Sequence, residues 1–336
     1  MKKLFIGIIV LFALMAAIPA IISIPKADIS SLFIKAQSNA DNTAEKTKQT
    51  HSDDKHSKTE KDGFLLLEEN GDKTSYSQLE MLCGALAAKM PQEYSEESAY
   101  ALAAALYSQL CYMKENRSSN GLDGADLAKK DNGGCNFLTK QEAAEKYGGD
   151  FYELCKKYAE HGIKTSITND KKRINALVFR SCNGSTNSAT ELFPKKKLSY
   201  CQIAPSPWDK YGNIYSEKNF SREKTETLIT EKLKITKFPD KLSDYIKIKS
   251  TAQNGTVLDA ELCGKAVSGI DIMNLFSLKS PCFEIEYGEK QIHFTVIGEG
   301  IPVGMSISGA DGMARQGAQM SEILSHYYTD CEIKSN

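Results

Sequence analysis

The ionisable side chains best spaced for proton transfer gather at one corner, Ala87-Ala88-Lys89-Met90-Pro91, with Glu93 two residues beyond the proline and Glu97 six beyond it. A carboxyl there serves as a general acid only if its surroundings keep it protonated near neutral pH. Carboxylates entering a helix have a plainer use, compensating the dipole, and both readings of Glu93 and Glu97 stand. Lys89 is cationic and strongly hydrated at neutral pH, and only deep desolvation brings an amine to titrate near seven. His51 and His56 lie in a polar stretch and read as linker residues; His161 closes a helix, where an imidazole suits the dipole. The nine cysteines (83, 111, 135, 155, 182, 201, 263, 282 and 331) include no C-x-x-C pair, which argues against a zinc ribbon or a thioredoxin-type redox site. They read either as scattered core thiols or as a partial disulfide set, and an odd count leaves one thiol outside intramolecular pairs.

Two helices must position that corner. Ser77-Gln78-Leu79-Glu80 is a capping box, and Leu79, Leu82, Leu86 and Met90 then recur as one apolar stripe. Pro91 lacks an amide proton and drives Met90 out of the helical region, so the helix stops. Ser95 starts a second helix, with Glu96 and Glu97 in its first turn and Ala99, Leu102, Ala103, Leu106 and Leu110 on its buried face. Lys89 falls beside Leu82 at the stripe's edge and is expected to snorkel toward a groove or solvent. A Gly- and Asp-rich loop follows from Asn116 to Asn136. Thr139-Lys140-Gln141-Glu142 is a second capping box, and Phe151, Leu154, Cys155 and Tyr158 mark a further helix.

Beyond Ile163 the period changes. Strands are expected at Ile174–Phe179 and Val257–Leu262, a hairpin at Cys282–Tyr287 and Gln291–Ile297, and helix again from Ala310 to Tyr328. This order specifies an α+β class: a helical pair at the start, antiparallel strands in the second half, and C-terminal helices. The 336 residues carry 42 basic and 43 acidic side chains, a net charge of -1 that argues against nucleic acid as a partner. Lys2-Lys3 precede an apolar run from Leu4 to Ile24, about 31 Å long as a helix, enough to span a bilayer. Residues 1–24 are expected to be an uncleaved, single-pass membrane anchor with the remainder outside; a cleaved signal peptide is the alternative. Residues 25–63 read as a disordered polar linker and residues 64–332 as one extracytoplasmic domain.

The corner resembles the opening motif of the stage II sporulation protein D family, which includes amidase enhancers, where the pattern runs A-A-E-M-P. Four further segments resemble that family in order and spacing. They are Ile174–Phe179 with the turn Ser181-Cys182-Asn183-Gly184-Ser185-Thr186, then Ser206-Pro207-Trp208-Asp209, then Gly264-Lys265-Ala266-Val267-Ser268-Gly269, and finally Val303-Gly304-Met305-Ser306 with Gly309-Ala310 and Gly312-Met313-Ala314.

The resemblance implies a peptidoglycan lytic transglycosylase fold in which one Glu protonates the glycosidic oxygen. Lys89 stands where that Glu belongs. The family K-A-Q-A reads Tyr100-Ala101-Leu102-Ala103 here, and G-H-G-V-G-M-S-Q reads Gly300 to Ile307 without its His and Gln. Zinc-binding positions of some members fall on Ala128, Gly134 and Cys135, so neither metal nor cofactor is expected. The catalytic set is therefore expected not to be intact, with Glu93 and Glu97 as fallback acids and Lys89, Ser181, Asn183, Thr186 and Ser306 as groove candidates. The expected partners are peptidoglycan glycan strands, a cell-wall amidase and other engulfment membrane proteins. Three roles follow: an impaired glycan-binding or scaffolding homologue, an active transglycosylase with a relocated acid, or a regulator of an amidase.

Overall fold

A computed structural model describes residues 63–116, 122, 124–129, 135–211 and 214–335. The anchor and nearly all of the linker lie outside the described residues. Among those described, no helix is long and apolar enough to cross a membrane.

The chain enters through a hairpin that the apolar pattern does not announce. Strands β1 (Phe64–Leu67) and β2 (Lys73–Tyr76) pair antiparallel, and β1 also pairs in parallel with β3 (Leu127–Ala128). The Ser77 capping box is formed as its residues specify, and α1 (Gln78–Lys89) runs to the proline corner, where Met90 takes extended angles (φ -71°, ψ 133°). α2 (Glu96–Glu115) follows. The expected single stripe on α1 needs correction: Met81 through Ala87 are buried without a break, so the helix is enclosed all round rather than amphipathic. Small residues make this enclosure possible. A Cβ on Gly84 would sit 2.1 Å from the Phe137 ring, so only glycine lets that ring lie on the helix.

α3 (Lys140–Tyr147), opened by the Thr139 capping box, and α4 (Gly149–Gly162) complete this helical layer. Next come β4 (Thr165–Asn169) and β5 (Lys172–Arg173), a tight hairpin whose β4 also pairs with β14 (Glu332–Ser335) at the chain's end. The strand expected over Ile174–Phe179 is only β6 (Val178–Phe179), because its parallel partner β13 (Met305–Ser306) offers two residues of ladder. The upstream residues are extended but satisfied elsewhere: Ile174 N–H donates to Ile167 and Asn175 N–H to the Tyr200 hydroxyl. A short α5 (Ala189–Leu192) precedes the Pro207–Tyr211 turn.

Residues from β7 (Tyr215–Ser221) to β12 (Gln291–Ile297) form a second lobe. Between those strands lie α6 (Arg222–Leu233), β8 (Ile246–Thr251), β9 (Val257–Leu262), β10 (Lys265–Ser268), α7 (Gly269–Phe276) and β11 (Phe283–Tyr287). Its two sheets are antiparallel, ordered β10-β9-β8 and β11-β12-β7. The strand at Val257–Leu262 and the β11–β12 hairpin stand where the alternation puts them. The chain returns through α8 (Ile307–Arg315) and α9 (Met320–Tyr327), a break near Gly317 dividing the helix expected there. The class is α+β.

Among the described residues two large hydrophobic cores result, beside a small cluster of Ile214, Cys282 and Ile297. One is built on α1, α2, α4 and the C-terminal helices; the other, around Tyr245, Phe276 and Phe294, belongs to the inserted lobe. Asparagines join them: Asn183 donates to the Asn254 carbonyl at 2.9 Å, while the Asn254 amide donates to Ser185 O at 2.8 Å and Asn187 Oδ1 at 3.0 Å. Thr256 Oγ1 donates to the same Asn187 oxygen at 2.9 Å.

The seat of α8 depends on glycine. A Cβ on Gly312 would lie 2.2 Å from Trp208 Cβ. Gly312→Ala is expected to cost about 1–3 kcal/mol by overpacking, read as a lowered urea midpoint; an unchanged midpoint would contradict this packing.

Candidate functional site

The corner is pinned rather than loose. Tyr94 Oη donates to the Ile307 carbonyl at 3.0 Å, and Asp311 Oδ1 accepts the Ser95 N–H at 2.8 Å. Asp311 Oδ2 also holds Arg315 at 2.8 Å, which with the Ser95 hydrogen bonds keeps its pKa below the ordinary carboxylate value against its desolvation. The Met-Pro turn is thereby fixed to the first turns of α8.

Lys89 ends α1, half-buried, and has no hydrogen bond or ion pair with any described residue. Desolvation lowers its pKa from the ordinary 10.5, and the electrostatic interaction with Cys135 acts in the opposite sense. Burial in turn pushes the Cys135 thiol up to about 12 despite Lys89, so the pair is an amine beside a neutral thiol. The expected snorkelling is only partial.

Neither fallback carboxylate takes the place of an acid beside Lys89. Glu93 is exposed and lies where its charge acts on Arg315. Glu97 Oε2 accepts the Met320 N–H at 2.8 Å, capping the start of α9. That carboxylate is committed to joining two helices.

The groove candidates separate in the same way. Ser306 is fully buried, and its Oγ donates to Asp209 Oδ1 at 2.7 Å while accepting the Gly309 N–H at 3.0 Å. Thr186 is buried between Gln202 O and Ala204 N–H. Ser181 is buried, its backbone bonded to Glu299 in both directions. Asn183 ties the lobes. Of the five, only Lys89 remains without a structural hydrogen bond at the corner.

The residue that composition and spacing left unremarked is Asp209. It is 1% exposed and accepts from Ser206 Oγ at 2.6 Å, Ser306 Oγ at 2.7 Å and Cys182 Sγ at 3.1 Å. Ser206 gives its single proton to Asp209, so Tyr327 Oη, 2.8 Å away, donates to Ser206. Burial raises the Asp209 pKa even against these hydrogen bonds. A Cβ on Gly309 would meet Ser206 Oγ at 2.0 Å and Tyr327 Oη at 2.2 Å, so the network closes only over a glycine. The visible signal was a lone carboxylate beside the only tryptophan of the sequence.

Ala128 lies buried in β3, Gly134 falls outside the described residues, and Cys135 faces Lys89. Among the described residues no three His, Cys, Asp or Glu side chains converge as a metal site would require, and all nine thiols are unpaired.

No family model matches the sequence. Stage II sporulation protein D of Bacillus amyloliquefaciens is 27% identical over 264 residues, spanning 76% of this chain and 73% of that protein. Stage II sporulation protein D of Bacillus subtilis (strain 168) is 27% identical over 258 residues, with the same coverage. The chain is thus similar to stage II sporulation protein D over about three quarters of its length. Within that family frame, the shared segments outside the corner are structural here. The turn at residues 181–186 joins the lobes, and Ser206-Pro207-Trp208-Asp209 supplies the buried carboxylate. Ser268 caps α7 together with Asp271. Gly304, at φ +87°, lets the chain pass Leu177, whose carbonyl a Cβ would meet at 2.2 Å.

The lowered Lys89 pKa carries a sign. A lysine that gives up its proton more readily when folded stabilises fully above its unfolded value, 10.5, and loses that contribution as pH falls to the folded value. Lys89→Met is therefore expected to be more stable than the native chain at neutral pH, with the advantage shrinking as pH rises to about 10. A difference in thermal midpoint that stays constant over that window would contradict the desolvated position.

Proposed function

We propose that the chain is a cell-wall-associated, catalytically impaired stage II sporulation protein D homologue that binds or scaffolds peptidoglycan outside the membrane. The observation carrying this reading is Lys89: a half-buried amine with no carboxylate beside it among the described residues, at the position where the family motif has its acid. Protonating a glycosidic oxygen calls for a carboxyl held protonated near neutral pH. The desolvated amine faces Cys135, Glu97 is bound to an amide, and Glu93 lies toward Arg315. Losing a positioned general acid removes about 10²–10⁴ in rate, while the frame around the corner stays built. Such a protein acts through what it holds, namely glycan strands and, by family analogy, an amidase or other membrane proteins of engulfment. The apolar run at residues 4–24 would anchor it, with the folded part on the extracytoplasmic side.

The direct experiment is incubation of the full chain with purified peptidoglycan, with and without stem peptides, followed by mass spectrometry for 1,6-anhydromuramyl ends. No such ends are expected from the native chain while strands are still pulled down, and Lys89→Glu is expected to produce them. Anhydro ends from the native chain would overturn the impaired reading in favour of a relocated acid. Stimulation of a purified amidase without strand binding would overturn it in favour of a regulator.

A further inference from the structure

We propose that the cleft between the end of α2 and the β4–β5 hairpin is an oxyanion site that takes a phosphate dianion. The cleft, about 640 Å³, is lined by Tyr112, Glu115 and Asn116 on the helix side and by Thr168, Lys171, Lys172 and Arg173 on the hairpin side. It lies apart from the Lys89 corner, at the opposite end of α2. Three consecutive cations face one carboxylate, so the lining carries a net charge of two.

The hairpin holds the backbone that carries those cations. Thr168 pairs with Arg173 and Asn169 with Lys172, leaving Asp170-Lys171 as a two-residue turn with both φ positive, 49° and 62°. β4 is held on its other edge by β14. The Arg173 guanidinium lies over the Tyr107 ring, 5.5 Å from its centroid, and its Nε stands 3.6 Å from Glu115. Its Nη1, however, is buried with no hydrogen-bond partner among the described residues, an uncommon state for a charged donor. Arginine's fixed fork suits phosphate oxygens, and the 26% of the Arg173 side chain that is exposed is the part a ligand in the cleft would meet. The helix end opposes an anion through its partial charge, but Asn116 already takes up the Tyr112 carbonyl, Nδ2 donating at 2.8 Å. Glu115 is the remaining competitor for Arg173.

The test is equilibrium dialysis of the full chain against radiolabelled inorganic phosphate at low ionic strength, where such contacts are least screened. Saturable binding is expected, abolished in Arg173→Gln and weakened about tenfold or more in Lys172→Glu. Lys172 is exposed, so that variant keeps its fold, as a circular dichroism spectrum would verify. Glu115→Gln, which removes the competitor, is expected to bind more tightly than the native chain. Glycerol phosphate and a glycerol phosphodiester serve as competitors to separate a free phosphomonoester from a polymer-borne diester. The monoester dianion is expected to compete at the lower concentration. No saturable binding, binding unchanged in Lys172→Glu and Arg173→Gln, or equal competition by the diester would overturn the assignment.

Discussion

The buried carboxylate of Asp209 is the constraint on which the arrangement depends. A carboxylate withdrawn from water costs several kcal/mol unless hydrogen bonds replace its hydration. Here the replacements come from three separate places: Ser206 in its own turn, Cys182 in the lobe junction, and Ser306 at the start of α8. Tyr327 of α9 adds a fourth segment through Ser206. Satisfying one side chain therefore fixes the relative positions of the junction, the tryptophan turn and both C-terminal helices. Once α8 is fixed, Asp311 and the Ile307 carbonyl grip Ser95 and Tyr94, and the proline corner has a defined place.

This ordering gives the segments that resemble the stage II sporulation protein D pattern a structural use. Gly304, Gly309, Gly312, Ser206, Asp209 and Ser306 keep the frame closed, and their loss would be felt as instability. Lys89 holds nothing in place. What it offers to a ligand at the corner is a desolvated amine.

Local features were legible in the sequence and remote ones were not. The capping boxes at Ser77 and Thr139, the stop at Pro91 and the β11–β12 hairpin all involve residues within a few positions of one another, so spacing alone specifies them. α1 misled because its enclosure comes from partners far along the chain: a stripe of four large residues was visible, but not that Cys83, Gly84, Ala85 and Ala87 would also be covered. β1 and β2 escaped notice because FLLL and KTSY show no clean alternation. The joining of the two cores depends on contacts between residues 181–187 and 254–256, which no local pattern encodes. Thr186 and Ser306 read as groove residues because they fall in segments that resemble the family pattern, and a hydroxyl there suits a ligand or a buried network equally; only burial separates the two uses. Asp209 was hidden for the same reason.

A double-mutant cycle on Asp209 and Ser306 tests this account most directly. The measurement is the urea-unfolding free energy of the native chain, Asp209→Asn, Ser306→Ala and the double variant. Groups in one buried hydrogen-bonded network couple by about 0.5–3 kcal/mol, so the double variant is predicted to lose less stability than the sum of the single losses by at least about 1 kcal/mol. Additive losses would contradict the claim that this carboxylate organises the frame, and would leave the corner's position to apolar packing alone.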